Sequence, residues 1–147
     1  MIYWDTSCVI KLYTEESDST LWQRLAVEEP GERVSSALLE VELAFALRQK
    51  ELRGDVAPGG ATALLRFFRH DVKVGRFTLL PLGADVIRRA AALAEEVIAS
   101  RPARSLRTLD GLHLATAAIL RCNGIATADA RMKAGAQVLG IPVIAGL

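Results

Sequence analysis

The sequence predicts an α/β domain built on a mostly parallel sheet with helices over both faces. Three observations lead there. Short apolar runs alternate with longer segments of helical periodicity from one end of the chain to the other. The first run, Ile2-Tyr3-Trp4, has no polar residue until Asp5-Thr6-Ser7 ends it, as expected of a strand buried on both faces. The chain has 147 residues, 51% hydrophobic and 24% charged, which suits one domain of ordinary size with a packed core.

The elements follow in order. Ile2-Tyr3-Trp4 runs as a strand into a short helix over Val9 to Tyr13. Ser17-Asp18-Ser19 offers a cap for a helix through Leu21, Trp22 and Leu25, which Pro30-Gly31 breaks. Arg33-Val34-Ser35 is a second strand. Ser35 or Ser36 can cap a long helix from Ala37 to about Leu52, closed by Gly54. After Pro58-Gly59-Gly60, Ala61 to Asp71 is helical. Phe77 to Leu82 is a third strand, and Asp85 to Ala99 is strongly helical. Ser100 to Ser105 is a polar, basic loop. Thr108 caps a helix to Cys122, ended by Asn123-Gly124. Ile125-Ala126-Thr127 is a minimal strand, Ala130 to Val138 a helix, and Ile141 to Ile144 the closing strand.

Composition excludes several classes. No apolar run reaches the ~18 residues that a membrane-spanning helix needs, and the acid at position 5, with no basic region before it, does not read as a signal peptide. Two cysteines, Cys8 and Cys122, form neither a disulfide framework nor a zinc site, so a reducing cytoplasm is the expected location. Charge is balanced, 18 basic against 17 acidic residues, which is not the signature of a general nucleic-acid binder. The basic residues are nevertheless 14 Arg and 4 Lys, and Arg presents a planar fork that binds two phosphate oxygens at once. If several acids were committed to a metal, the rest of the protein would be clearly basic.

Chemistry is expected at the carboxyl ends of the strands, where open parallel sheets bind their ligands. Asp5 ends the first strand and Asp129 follows the Ile125–Thr127 strand. Asp110 lies in the first turn of its helix. That helix leads into the Ile125–Thr127 strand, which puts its start at the opposite end of the sheet unless it crosses obliquely. A fourth acid comes from the apolar helix Ala37 to Leu47, as Glu40 or Glu42. Each acid alone has an ordinary reading as a turn, cap or first-turn residue. As a set, clustered carboxylates would raise one another's pKa values, and a hard divalent cation such as Mg²⁺ or Mn²⁺ relieves that repulsion through oxygen ligands. A helix turns about 100° per residue, so Glu40 and Glu42 face nearly opposite ways. Glu42 shares its face with Leu38, Leu39, Phe45 and Ala46 and has no basic partner one turn away, so it is the better candidate.

The spacing of these residues resembles PIN-domain ribonucleases, and specifically VapC toxins of type II toxin–antitoxin pairs. Asp5-Thr6-Ser7 is similar to that family's first motif, and Ser36 followed by Glu42-Leu43 to its second. Leu109-Asp110-Gly111-Leu112-His113-Leu114-Ala115-Thr116-Ala117 is similar to the third and is the most specific stretch. Thr127-Ala128-Asp129 is similar to the fourth. The resemblance implies a PIN-like three-layer sandwich and a Mg²⁺- or Mn²⁺-binding set of Asp5, Glu42, Asp110 and Asp129, with Asp110 brought to the same pocket. It implies cleavage of a structured cellular RNA, tRNA or rRNA, leaving 5′-phosphate and 3′-hydroxyl ends. It also implies a VapB-type antitoxin that blocks the site, and a homodimer. Relatives that carry a further acid after the fourth motif differ from this chain, which has Ala130-Arg131-Met132-Lys133 there. Trp4 stands where an aliphatic residue is usual.

Around these acids, Ser7 and Thr127 could hydrogen-bond a site carboxylate or cap local backbone. His113, one turn after Asp110, could face the pocket or be a satisfied helix histidine. Arg101, Arg104, Arg107 and Arg131 could hold RNA phosphates, against the plain reading of a solvated basic loop. Trp22, Phe45, Phe67 and Phe68 read as core or interface. Two other functions compete. An aspartyl-phosphate phosphatase on Asp5 would use an acid two residues on and a lysine, but position 7 is Ser. A non-catalytic PIN-like binding module would be expected to lack one of the four acids, and none is missing.

Overall fold

The computed structural model describes residues 1–29, 31–100 and 105–144. Five strands and seven helices alternate among these residues. They are β1 (Ile2–Trp4), α1 (Thr6–Tyr13), α2 (Ser19–Glu28), β2 (Arg33–Ser36), α3 (Leu38–Arg53), α4 (Gly60–Lys73), β3 (Thr78–Leu80), α5 (Ala84–Ala99), α6 (Thr108–Ile119), β4 (Gly124–Ala126), α7 (Ala130–Val138) and β5 (Val143–Ile144). The sheet order is β3-β2-β1-β4-β5, and all four pairings are parallel. The chain steps from β1 outward to β3, then returns to the other side of β1 for β4 and β5. Crossovers of one hand that travel in opposite directions lay their helices on opposite faces, so the sheet is a middle layer between two helical ones.

Side-chain alternation along the strands feeds two cores. Ile2, Trp4 and Ala126 point into one, with Val9, Trp22, Leu39, Leu43, Leu47 and Phe68 from α1 to α4. Tyr3, Val34 and Ile125 point into the other, with Val86, Leu93, Leu114 and Met132 from α5 to α7. Trp4 is wholly buried and packs edge-on against Trp22 and Phe77, so the large side chain at that position is a packing anchor. Trp22 and Phe68 are core residues, whereas Phe45 and Phe67 stand 70% and 63% exposed. No helix among the described residues is long and apolar enough to cross a membrane. Cys8 and Cys122 are free and buried.

Capping chemistry sets most helix limits, with corrections to two expected caps. Gly54 closes α3 in the left-handed region at φ 83°, a conformation that costs a residue with a Cβ roughly 1–2 kcal/mol. Ser36 Oγ accepts the Leu38 N–H at 3.2 Å, so Ser36 serves the start of α3. Asp18 occupies the cap position of α2 but makes no cap bond; its carboxylate is taken by Lys11 Nζ at 2.6 Å and by Trp22 Nε1 at 3.0 Å. Thr108 is the first residue of α6, and Arg107 is its cap residue. The α6 helix ends at Ile119, three residues before Cys122, and the chain leaves it through Arg121 at φ 52°.

Candidate active site

The return of the chain across β1 creates a crevice at the carboxyl ends of β1 and β4, the switch point where parallel sheets bind ligands. A cavity of about 450 Å³ opens there, and Asp5, Glu42, Asp110 and Asp129 all line it with Ser7, His113, Arg107 and Arg131. Asp110 reaches it for a simple reason that the residue-by-residue reading left open. A helix feeding a parallel strand runs antiparallel to it, so α6 begins at the carboxyl edge. Its far end lies at the amino edge, where Asn123 N–H bonds the Met1 carbonyl at 3.0 Å.

Asp5 caps α1 and is the most enclosed of the four acids. Its Oδ1 accepts Ser7 Oγ–H at 2.6 Å and Cys8 N–H at 3.3 Å, and its Oδ2 accepts Thr127 Oγ1–H at 2.7 Å. Each hydroxyl has one proton and spends it on Asp5. Each oxygen is then free to accept: Ser7 Oγ takes Ala128 N–H at 2.8 Å, and Thr127 Oγ1 takes Asp129 N–H at 3.1 Å. Ser7 and Thr127 therefore tie the end of β4 to the carboxylate that ends β1. Burial raises the Asp5 pKa; the hydrogen bonds from Ser7 and Thr127 oppose that shift without cancelling it.

Asp129 caps α7, its Oδ1 accepting Arg131 N–H at 2.7 Å and Met132 N–H at 3.2 Å. Asp110 Oδ2 accepts Arg107 N–H at 3.1 Å, which ties the acid to the helix start. The Arg131 guanidinium joins the two acids, with Nη2 3.2 Å from Asp129 Oδ2 and Nε 3.4 Å from Asp110 Oδ2. Arg107 lines the cavity and is exposed. Arg101 and Arg104 lie outside the described residues.

Glu42 projects from α3 beside Leu39 and Leu43, which are fully buried. Its Oε2 accepts the Thr6 hydroxyl and lies 2.7 Å from His113 Nε2. Burial pushes the Glu42 carboxyl up, but the hydrogen bond from His113, with that from Thr6, opposes it and leaves the pKa below the ordinary value. The partner absent within α3 is thus supplied by α6. Phe45, expected on the same face, turns to solvent because α3 buries only the Leu39, Leu43 and Leu47 stripe. Glu40 lies outside the cavity and pairs with Arg69 at 2.7 Å.

His113 is both satisfied and pocket-facing. It is 3% exposed, and its Nδ1 lies 2.6 Å from Tyr3 Oη, which accepts Ser36 N–H at 3.0 Å. Sequence reasoning missed Tyr3 and Thr6. Thr6 sat inside a motif already singled out, but Tyr3 looked like any aromatic in a buried strand.

Four carboxylates offer only oxygen donors, the set a hard divalent ion prefers. Among the described residues no three metal-ligating side chains are already drawn together; the Arg131 guanidinium is the cation that Asp110 and Asp129 hold. The donor chemistry therefore fits Mg²⁺ or Mn²⁺, with Arg131 as the group an arriving ion would compete with.

Comparison with known proteins agrees with this architecture. Residues 2–137 match the family model for the PIN domain. Ribonuclease VapC46 of Mycobacterium tuberculosis is 35% identical over 147 residues, covering 98% of this chain and 96% of its own length. Ribonuclease VapC35 of the same species is 31% identical over 150 residues, covering 99% and 96%. Among solved structures, M. tuberculosis VapC20, described as a sarcin-ricin loop cleaving toxin, superposes with a TM-score of 0.65 at 15% identity over 91% of this chain and 94% of that one. FitAcB from Neisseria gonorrhoeae gives 0.68 at 17% identity over 97% and 96%, and these distant structures speak for the fold. With the family model spanning nearly all of the sequence and two relatives aligned end to end, the chain belongs to the PIN-domain family, alongside the VapC ribonucleases.

Proposed function

We propose that the protein is a divalent-metal-dependent endoribonuclease, the toxin of a toxin–antitoxin pair, with Mg²⁺ or Mn²⁺ held by Asp5, Glu42, Asp110 and Asp129. The observation that carries this reading is the convergence of four carboxylates, from four separate elements, on one cavity at the switch point of the sheet. The ion, when bound, supplies a water acidified toward neutrality and shields charge on the phosphodiester.

The chain's own residues prepare that chemistry. Ser7 and Thr127 hold Asp5 by both oxygens. Thr6 and His113 hold Glu42 ionised. Arg107 and Arg131 border the acids and suit the phosphates of an RNA strand, which carry binding but no sequence information. A structured tRNA or rRNA is the substrate class this reading takes, with 5′-phosphate and 3′-hydroxyl products. Among the described residues no lysine lines the cavity, so the phosphatase reading lacks its usual cation.

The partner reading includes a VapB-type antitoxin and a homodimer, in a cytoplasmic setting that the two free thiols suit. Trp22, read on sequence as core or interface, is buried against Trp4 and is not open to a partner. Apolar side chains open to a partner include Val27 on α2, Val41, Phe45 and Phe67 on α3 and α4, and Ile87 and Ile98 on α5.

Purified protein should cleave RNA with Mg²⁺ or Mn²⁺, lose that activity in EDTA and regain it on re-addition of the ion. Undiminished cleavage in EDTA would overturn the metal mechanism. Expression in the native host should slow growth, and co-expression of a small neighbouring gene should relieve it. Unchanged growth would remove the toxin role and leave the nuclease reading standing.

A further inference from the structure

We propose that Tyr3 is a positioning residue of the site: its hydroxyl donates to His113 Nδ1, which fixes the imidazole as the Nε2–H tautomer and thereby aims Glu42 into the cavity. The inference rests on the metal-site reading for its consequence, but its structural half stands without any metal. Three hydrogen bonds run in series. Ser36 N–H meets Tyr3 Oη at 3.0 Å, Tyr3 Oη meets His113 Nδ1 at 2.6 Å, and His113 Nε2 meets Glu42 Oε2 at 2.7 Å.

Proton counting gives the series one direction. An ionised Glu42 can only accept, so Nε2 must carry the proton it receives. The tautomer with Nε2–H leaves a lone pair on Nδ1, which needs a donor. Tyr3 has a single proton, accepts from Ser36 N–H and lies beside the Ser35 hydroxyl, whose own proton goes to the Trp4 carbonyl at 2.7 Å; Nδ1, 2.6 Å away, is the acceptor for its O–H. Burial pushes the Tyr3 phenol well above its ordinary value, which keeps that proton in place. Tyr3 is wholly buried and the two rings meet edge-on, with centroids 5.8 Å apart at 72°. The imidazole is therefore held on both sides.

Positions two shells from a metal act by holding a ligand in one orientation, and their loss commonly weakens metal binding or activity about 10–100-fold. In Tyr3→Phe, Nδ1 loses its donor, so Glu42 alone favours the Nε2–H form, the other tautomer becomes accessible and the ring keeps one anchor of two. Hold on Glu42 is weakened although Tyr3 never reaches the cavity.

The chain has two histidines, and His70 is exposed on α4, so a His70→Gln background leaves one imidazole to observe. In metal-free protein at neutral pH, ¹⁵N NMR should show His113 protonated on Nε2 with an unprotonated Nδ1. Protonation at Nδ1, alone or together with Nε2, overturns the proposal, and this measurement needs no change at Tyr3. In Tyr3→Phe the tautomers should mix, Mn²⁺ affinity by calorimetry should weaken about 10-fold or more, and raised Mn²⁺ should recover much of the cleavage. An unchanged tautomer and unchanged Mn²⁺ affinity in a folded Tyr3→Phe would overturn it, since a merely structural tyrosine would lower the melting temperature alone. If wild-type protein binds no Mn²⁺, the metal-site reading fails, while the tautomer result still decides the hydrogen-bond series.

Discussion

Asp110 accepts the Arg107 backbone N–H and lies beside the Arg131 guanidinium, so its charge is met by a donor and a cation without a metal. Asp110→Asn keeps one acceptor oxygen for the helix start and gives up a half-exposed ion pair worth about 0–1 kcal/mol. Cleavage should fall at least ~100-fold, as when a key electrostatic element is removed, while the metal-free melting temperature moves little. A variant that unfolds in EDTA would make Asp110 structural. Glu42→Gln should abolish cleavage and weaken Mn²⁺ binding in a titration; Glu40→Gln, at a residue that pairs with Arg69 outside the cavity, should change both only slightly. A dead Glu40 variant would overturn the assignment. Arg131→Gln removes the cation that competes for Asp110 and Asp129. Mn²⁺ should bind it more tightly than wild type, while RNA binding weakens and its salt slope drops by about one. Weaker Mn²⁺ binding would show that Arg131 helps to arrange the ligands and does not compete for them.

Helices α6 and α7 carry Asp110 and Asp129, and their separation is set by a glycine. A Cβ on Gly135 would lie 2.4 Å from Leu114 Cδ1 and 3.0 Å from Leu106 Cδ2. Alanine would gain up to about 1 kcal/mol in helix propensity, but overpacking a filled core costs about 1–3 kcal/mol, and Leu114 is fully buried with nowhere to retreat. Gly135→Ala should therefore lower stability by about 1 kcal/mol or more in urea unfolding and also weaken Mn²⁺ binding, because it spreads the two acid-bearing helices. A stabilised variant would mean that α7 shifts freely. The periodic apolar pattern located nearly every element to within a few residues. It could not show which helix starts lie beside which strand ends, because that depends on the direction of each crossover. The same limit hid the Tyr3, His113 and Glu42 contact, whose members are 110 and 71 positions apart.

Asp5 and Glu42 give the whole molecule opposite responses to pH. The Asp5 pKa is raised in the fold, so its contribution is most favourable below the ordinary value of 3.8 and is lost as pH rises through the raised one. Glu42 is lowered, so its contribution is present above the ordinary 4.5 and lost as pH falls through the lowered value. In EDTA, Asp5→Asn should therefore gain stability relative to wild type as pH is raised from about 4 toward neutrality, read from urea unfolding at each pH. Saturating Mn²⁺ should shrink or reverse that gain, since a cation favours the ionised acid. A difference that stays flat with pH would mean Asp5 ionises in the fold as it does in the open chain.

Local chemistry was legible in the sequence. Apolar periods marked strands and helices, Gly54 marked the end of α3, and the four acids stood out because short polar interruptions in apolar surroundings are costly unless a ligand or partner explains them. The resemblance to PIN-domain ribonucleases followed from their spacing. Only the tertiary structure decided how those acids are held. The crossover directions put the start of α6 at the carboxyl edge, α6 gave Glu42 the partner its own helix lacks, and a guanidinium from α7 joined Asp110 to Asp129. Contacts such as that of Glu42 with His113, 71 positions on, are fixed by packing across the sheet, and no local pattern in the chain encodes them.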